Sequence, residues 1–354
     1  MSTSRRDFLA TTLTAAAAVG IAAARRPAWG QAASEPALAD IPELKTPEST
    51  KQGDMLYRTL GKTGEKVSLL AVGGAHLNRD EFAVPLVRKA IDNGVTFMDN
   101  CWDYGNPLGR CEERMGEALK DGYRKKVFLM TKLDGRSKAA AARQLEESLK
   151  RLQTDVIDLI QFHEVNRASD PGLIFGRDGA MDAMLEAKKA GKVRYIGFTG
   201  HKDPEFHVTM LETAKKNDFH FDTVQMPLNL LDAHYHSFAR GVVPRLVKDG
   251  TGVLAMKTLA AGQIPRANLG VTSEDCLHYA MNLPTSTVIV GMDSLARLDE
   301  ALAAVKSFKP LDKAQLAALL EKTRTVALTG RLETFKTTNQ FDGIGRHPEW
   351  MGTT

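Results

Sequence analysis

The sequence predicts a closed (β/α)8 (TIM) barrel with an N-terminal hairpin and an extra C-terminal helix. Short runs rich in Val, Ile, Leu and Phe alternate with amphipathic helical stretches, and eight such pairs follow one another. Most of the runs lack strict polar alternation, the pattern of parallel strands covered on both faces. Alternating β and α implies a parallel sheet, and eight units in about 250 residues imply a sheet that closes on itself.

The strand candidates are Val67–Val72, Thr96–Asp99, Val127–Lys132, Val156–His163, Tyr195–Thr199, Thr223–Gln225, Gly252–Lys257 and Thr287–Gly291. Helical periodicity falls between them, at Glu112–Lys120, Ala141–Leu152, Met181–Ala190, Pro204–Lys216 and Leu295–Ser307. Ahead of the first strand, Met55–Lys66 carries Gly61 and Gly64 in its middle and reads as a short hairpin closing the barrel bottom. Asp312–Thr329 adds a helix after the eighth unit. Gly330–Thr354 lacks a period and reads as a loop over the barrel mouth or a loose tail. The barrel domain spans residues 55–330, with 331–354 beyond it.

Before the barrel, residues 33–54 are rich in Pro, Glu, Ser and Lys and read as a tether. At the start, Ser4-Arg5-Arg6-Asp7-Phe8-Leu9 precedes a mild alanine-rich run, with Gly30-Gln31-Ala32 as a cleavage site. This segment, residues 1–32, resembles a twin-arginine export signal; the alternative is a disordered basic tail. The resemblance implies recognition by the twin-arginine export machinery and a periplasmic or extracellular destination. The apolar run is too short for a membrane span, so none is expected after cleavage.

The formal net charge of the 354 residues is +4. Four arginines and one aspartate of the leading segment account for most of it, leaving about +1 for the body. A near-neutral body argues against nucleic-acid binding. Cys101, Cys111 and Cys276 are odd in number and show no C-x-x-C spacing. A Cys101–Cys111 bridge is open on distance, but buried thiols are the expectation.

Several motifs fail. Gly61-Lys62-Thr63 lacks the preceding glycine of a phosphate loop, where Leu56 stands, and no G-x-G-x-x-G follows any strand. His234 and His236 lack a third ligand, so no metal is expected.

In such a barrel the chemistry sits at the carboxyl ends of the strands. The second run ends at Asp99, with Tyr104 in its loop; the third ends at Lys132; the fourth at His163. Each alone has a structural reading, as a cap, a snorkelling strand end, a satisfied core histidine or a packing aromatic. Together they make a proton-transfer group. An ammonium beside a phenol favours phenolate, Asp99 holds that ammonium, and a neutral His163 can donate to a carbonyl oxygen.

Asp99-Asn100-Cys101-Trp102-Asp103-Tyr104-Gly105, Phe128-Leu129-Met130-Thr131-Lys132 and Asp158-Leu159-Ile160-Gln161-Phe162-His163 together resemble the aldo-keto reductase family. The resemblance implies Tyr104 as general acid, Lys132 and Asp99 as its tuning pair, and His163 as carbonyl orienter. It further implies Thr199 and Gln225 at the nicotinamide carboxamide, Met256 on the ring face and Lys257 at the pyrophosphate. Ser294, Arg297 and Glu300 fall at the adenosine end. Gly200 replaces the family's usual asparagine, and Met256 its frequent aromatic. Arg297 suits the 2′-phosphate of NADP, while Asp293 opposes one; NADP is the expected cofactor, with NAD the other possibility. His76 and Trp102 are mouth residues that a small aldehyde, ketone or sugar-like carbonyl would meet. Two other classes fit the fold: a secreted barrel that binds without chemistry, and an isomerase or hydrolase. Oligomeric state is not legible in the sequence.

Overall fold

The computed structural model describes residues 37–353, so the export-like segment 1–32 lies outside the described residues. Eleven strands are formed among them. Thr50–Gln52 (β1), Met55–Thr59 (β2) and Lys66–Ser68 (β3) make a small antiparallel sheet. The barrel consists of Leu70–Gly73 (β4), Phe97–Asp99 (β5), Phe128–Leu133 (β6), Ile157–Phe162 (β7), Val193–Thr199 (β8), Thr223–Pro227 (β9), Gly252–Met256 (β10) and Thr287–Gly291 (β11). Every neighbouring pair is parallel, and β11 closes on β4 through Val288–Leu70 to Gly291–Gly73.

The strand expected over 67–72 is divided at Leu69: Val67 belongs to the bottom sheet and Leu70 onward to the barrel. Continuous hydrophobicity cannot reveal such a break, because both pieces are buried. Gly61 sits in the turn of the bottom sheet at φ 53°, and a Cβ there would lie 2.4 Å from the backbone nitrogen of Gly252. Only a residue without a side chain lets the turn approach the base of β10 so closely.

Two apolar layers result. Inside the barrel, Ala71, Phe97, Phe128, Met130, Leu159, Leu254 and Ile289 pack together above Leu60 and Val67 of the bottom cap. Outside, the alternate residues of the strands face the helices in a second, larger cluster.

The segment expected to be a tether is partly built into the body. Leu38 and Leu44 are buried, Thr46 donates to the carbonyl of Asn282 at 2.6 Å, and β1 pairs with β2. Single apolar residues at short helical spacing supply that anchorage although the composition looks like linker. After the helix Lys313–Ala327, which starts on an Asp312/Gln315 capping box, the chain crosses the barrel mouth. Gly343 and Ile344 donate their N–H groups to the Glu164 carboxylate at 3.0 and 2.9 Å. The Met351 carbonyl accepts from the N–H groups of Arg136 and Ser137. The segment carries short helical turns at Thr334–Thr337, Gly343–Arg346 and Pro348–Met351. Among the described residues, no helix is long and apolar enough to cross a membrane.

Candidate active site

Strand periodicity delivers the site. Phe97 and Asp99 point to the same face of β5, Met130 and Lys132 to one face of β6, and Leu159, Gln161 and His163 follow each other along and past β7. In each case an inward apolar residue of the barrel interior is followed two positions later by a polar one. Thr199 and Gln225 lie side by side in the β8–β9 register, and Gln225 pairs with Leu254 of β10. The barrel is oily below and titratable at its carboxyl end.

Lys132 and Asp99 form a buried ion pair, their side chains 1% and 5% exposed. The ammonium also donates to the Asn100 carbonyl at 2.6 Å and lies 4.8 Å from the centre of the Tyr104 ring. Burial pushes the Asp99 carboxyl up, while Lys132 works against that. The His163 ring stands edge-on to Tyr104, with centroids 5.8 Å apart. Burial lowers its affinity for a second proton, so His163 is neutral. Sequence reasoning expected Lys132 to favour the phenolate of Tyr104. Instead, burial, joined by Cys101, Asp99, Asp103 and Glu164, pushes the phenol well above its ordinary value. The ammonium is spent on Asp99 and Asn100, so four acidic neighbours and desolvation outweigh it. Tyr104 is a protonated donor.

His163 Nδ1 lies 2.9 Å from Asp134 Oδ1, 3.2 Å from Cys101 Sγ and 3.7 Å from Asp103 Oδ1. These neighbours escaped the sequence analysis. Cys101 and Asp103 were within the segment quoted for the family, and Asp134 stands two residues past Lys132, so the available signal was position just beyond a strand end. Arg136, fully buried, pairs with Asp170 at 2.9 Å and donates to the carbonyls of Asp134, His163 and Glu164, pinning two mouth loops together.

The remaining candidates distribute around the mouth. Thr199 and Gln225 are buried, Gln225 Oε1 has no hydrogen-bond partner, and the Thr199 hydroxyl reaches only the Met256 sulfur, at 3.9 Å. An unsatisfied buried acceptor beside a lightly held hydroxyl fits an amide group from a ligand. A Cβ on Gly200 would lie 2.4 Å from the Val165 carbonyl and 2.8 Å from His207 Nε2, so an asparagine has no room at this position. Lys257 is pushed down to about 8 by burial and lies 4.1 Å from the Phe341 ring centre. Ser294 caps the helix Leu295–Ser307, accepting from the Arg297 N–H at 3.4 Å, and the exposed Arg297 pairs with Glu300 at 2.6 Å. His76 leans over Gly291, with Asp293 and Lys257 acting on its ring. Trp102 is buried, donates to Glu147 at 2.6 Å and meets Trp350 edge-on at 5.5 Å, which ties it into the helix layer and the C-terminal crossing. His234 and His236 face separate partners, the Leu320 carbonyl and Asp203. The three cysteines are free and buried, so Cys101 and Cys111 are not bridged.

A barrel that gathers a phenol, a lysine–aspartate pair and a neutral histidine at its carboxyl-end mouth has the equipment for proton transfer to a carbonyl oxygen. The profile of the aldo/keto reductase family matches residues 69–272, and the chain belongs to this family of oxidoreductases. It is 27% identical over 280 residues to L-glyceraldehyde 3-phosphate reductase of Escherichia coli K12, covering 73% of this chain and 78% of that protein. It is 26% identical over 318 residues to L-galactose dehydrogenase of Arabidopsis thaliana, covering 76% and 95%. An aldo-keto reductase of Bacillus halodurans, solved in its holo form, shares the fold with a TM-score of 0.64 at 24% identity, covering 76% and 96%.

Proposed function

We propose that the protein reduces a small aldehyde, ketone or sugar-like carbonyl, or oxidises the corresponding alcohol, with NADP as the first-choice cofactor and NAD as the second. The observation that carries this reading is the buried Lys132–Asp99 pair set under Tyr104, with neutral His163 edge-on to it. When bound, the reduced nicotinamide supplies a hydride. Thr199 and Gln225 would hold its carboxamide, Met256 would cover its ring, and Lys257 would answer pyrophosphate charge. Ser294, Arg297 and Glu300 flank the adenosine end, at a helix N-terminus that favours anions.

The chain's own work is to orient one oxygen and move one proton. His163 donates from Nε2 to the carbonyl oxygen, and Tyr104 gives its phenolic proton to the same atom as negative charge develops. Lys132, with its ammonium 4.8 Å from the Tyr104 ring centre but already paired with Asp99, offsets the charge of the resulting phenolate only in part. For neutral His163 to carry its proton on Nε2, Nδ1 must accept. The Cys101 thiol at 3.2 Å can donate to it, and so can Asp134, whose carboxyl burial pushes up to about 7.

Carbonyl-dependent loss of reduced-nicotinamide absorbance should fall by orders of magnitude in Tyr104→Phe while cofactor binding persists. A wild type that neither oxidises nor binds either cofactor refutes the reading. It would leave a binding barrel, which the absence of room at Gly200 and the thioether of Met256 favour. Export on the twin-arginine route is part of the same proposal, on the strength of Arg5-Arg6 and the run behind them. The folded enzyme then leaves the cytoplasm with its cofactor bound and cycles it between two substrates. Fractionation of cells carrying Arg5→Lys/Arg6→Lys should find the precursor retained inside; unchanged export counts against the signal, and complete loss of cofactor on gel filtration against its retention.

A further inference from the structure

Three consecutive strand ends, β5, β6 and β7, deliver Cys101 and Asp103, Asp134, and His163 to one pocket behind the face of His163 that would meet substrate. One ligand-type atom from each of the four lies within 4.8 Å of all the others. His163 Nδ1 alone faces a sulfur at 3.2 Å and two carboxylate oxygens at 2.9 and 3.7 Å. A single ring nitrogen shares at most one proton, so hydrogen bonding satisfies one of these contacts and leaves lone pairs facing lone pairs in the others.

The surroundings do not relieve this. Asp103 Oδ1 and Asp134 Oδ2 are buried with no hydrogen-bond partner. The cations that act on Asp134 are engaged elsewhere, Lys132 with Asp99 and the Asn100 carbonyl, Arg136 with Asp170 and three carbonyls, and Arg167 with Asp342. The Cys101 thiol is the cluster's own donor, toward His163 Nδ1 at 3.2 Å, Asp103 or the Lys132 carbonyl at 3.6 Å. Its one proton leaves the other buried acceptors facing one another, a crowding that a cation between them relieves.

We propose that Cys101, Asp103, Asp134 and His163 form a closed four-ligand site for a divalent cation of the zinc type. Tetrahedral zinc with bonds of about 2.0–2.3 Å places neighbouring donor atoms about 3.3–3.8 Å apart, close to the separations from His163 Nδ1. Thiolate with imidazole selects a borderline-soft ion over calcium or magnesium, which take all-oxygen shells. Binding releases the Cys101 proton and leaves the two carboxylates ionised, so ion and ligands together carry one net negative charge. Binding itself requires only these four side chains. Its consequence rests on His163 as carbonyl orienter: a metal on Nδ1 leaves the proton of neutral imidazole on Nε2, the tautomer that donates to a carbonyl.

The test uses full-length protein purified without chelator, analysed for metal, then stripped and titrated with Co²⁺ and Zn²⁺. The expected result is about one metal per chain, a thiolate-to-cobalt charge-transfer band, and a Tm raised by Zn²⁺. Cys101→Ala abolishes the band, and Asp134→Asn weakens zinc binding by about tenfold or more. The proposal is overturned if stripped wild type shows neither band nor Tm shift with excess metal, or if the band survives in Cys101→Ala. Wild-type titration decides the matter even if a variant fails to fold. Cofactor binding, followed separately by nicotinamide fluorescence, reports on the reductase reading whichever way the metal result falls.

Discussion

Removing the Arg136 guanidinium tests how the mouth of the barrel is held. Arg136 and Asp170 are both fully buried, 2.9 Å apart, and the same guanidinium donates to the carbonyls of Asp134 at 3.1 Å, His163 at 2.6 Å and Glu164 at 3.2 Å. In Arg136→Met the volume is roughly kept, but Asp170 loses its counter-charge and three carbonyls lose a donor. Removing one partner of a buried pair costs about 3–5 kcal/mol. Asp170 keeps the N–H groups of Asn166 and Arg167 on its other oxygen, which favours the lower end, about 3 kcal/mol. At about 2 °C per kcal/mol for a chain of this size, Tm should fall by about 6 °C in thermal unfolding followed by circular dichroism at a fixed scan rate. Asp170→Asn should cost a similar amount. The double variant should lose clearly less than the sum, because no lone charge is left behind. A fall under about 2 °C, or strict additivity, would refute the account of the pair as the clamp between the loops after β6 and β7.

Other outcomes follow from the same geometry. Gly200→Ala should cost about 1–3 kcal/mol in urea unfolding, since the added carbon meets the Val165 carbonyl at 2.4 Å, and Gly200→Asn should cost more rather than recover a missing contact. Glu333 shares buried Lys336 with Asp232, and burial pushes its carboxyl from 4.5 to about 7. Its folded form therefore binds more protons than the unfolded chain, so its contribution to stability is present below pH 4.5 and is lost as pH rises to about 7. Glu333→Gln should flatten Tm against pH across that window; an unchanged slope would refute the assignment. Trp350→Ala removes the edge contact on Trp102, worth about 0.5–1.5 kcal/mol. Trp102 emission should shift red and become accessible to iodide, and an unshifted spectrum would mean that the C-terminal crossing does not cover it.

Much of this architecture is legible one residue at a time. Seven of the eight apolar runs locate their barrel strands within two residues at each end, since burial on both faces requires continuous hydrophobicity, while the first starts three residues early. Lys132 and His163 are legible because a charge or imidazole ending such a run has to stand at the mouth. The division at Leu69, the anchorage of Leu38 and Leu44 and the path of residues 334–351 are not, because each depends on which distant surface receives a residue rather than on local pattern.

The sequence by itself determined a closed parallel barrel and the order in which Asp99, Tyr104, Lys132 and His163 reach its mouth, because period-two alternation and strand count are local properties of the chain. Only the tertiary structure decided what those groups face. Lys132 turns to Asp99 and Asn100, Tyr104 stays a phenol, and His163 meets Cys101, Asp103 and Asp134. Charge and burial at a point are sums over every element packed around it, and no stretch of sequence contains that sum.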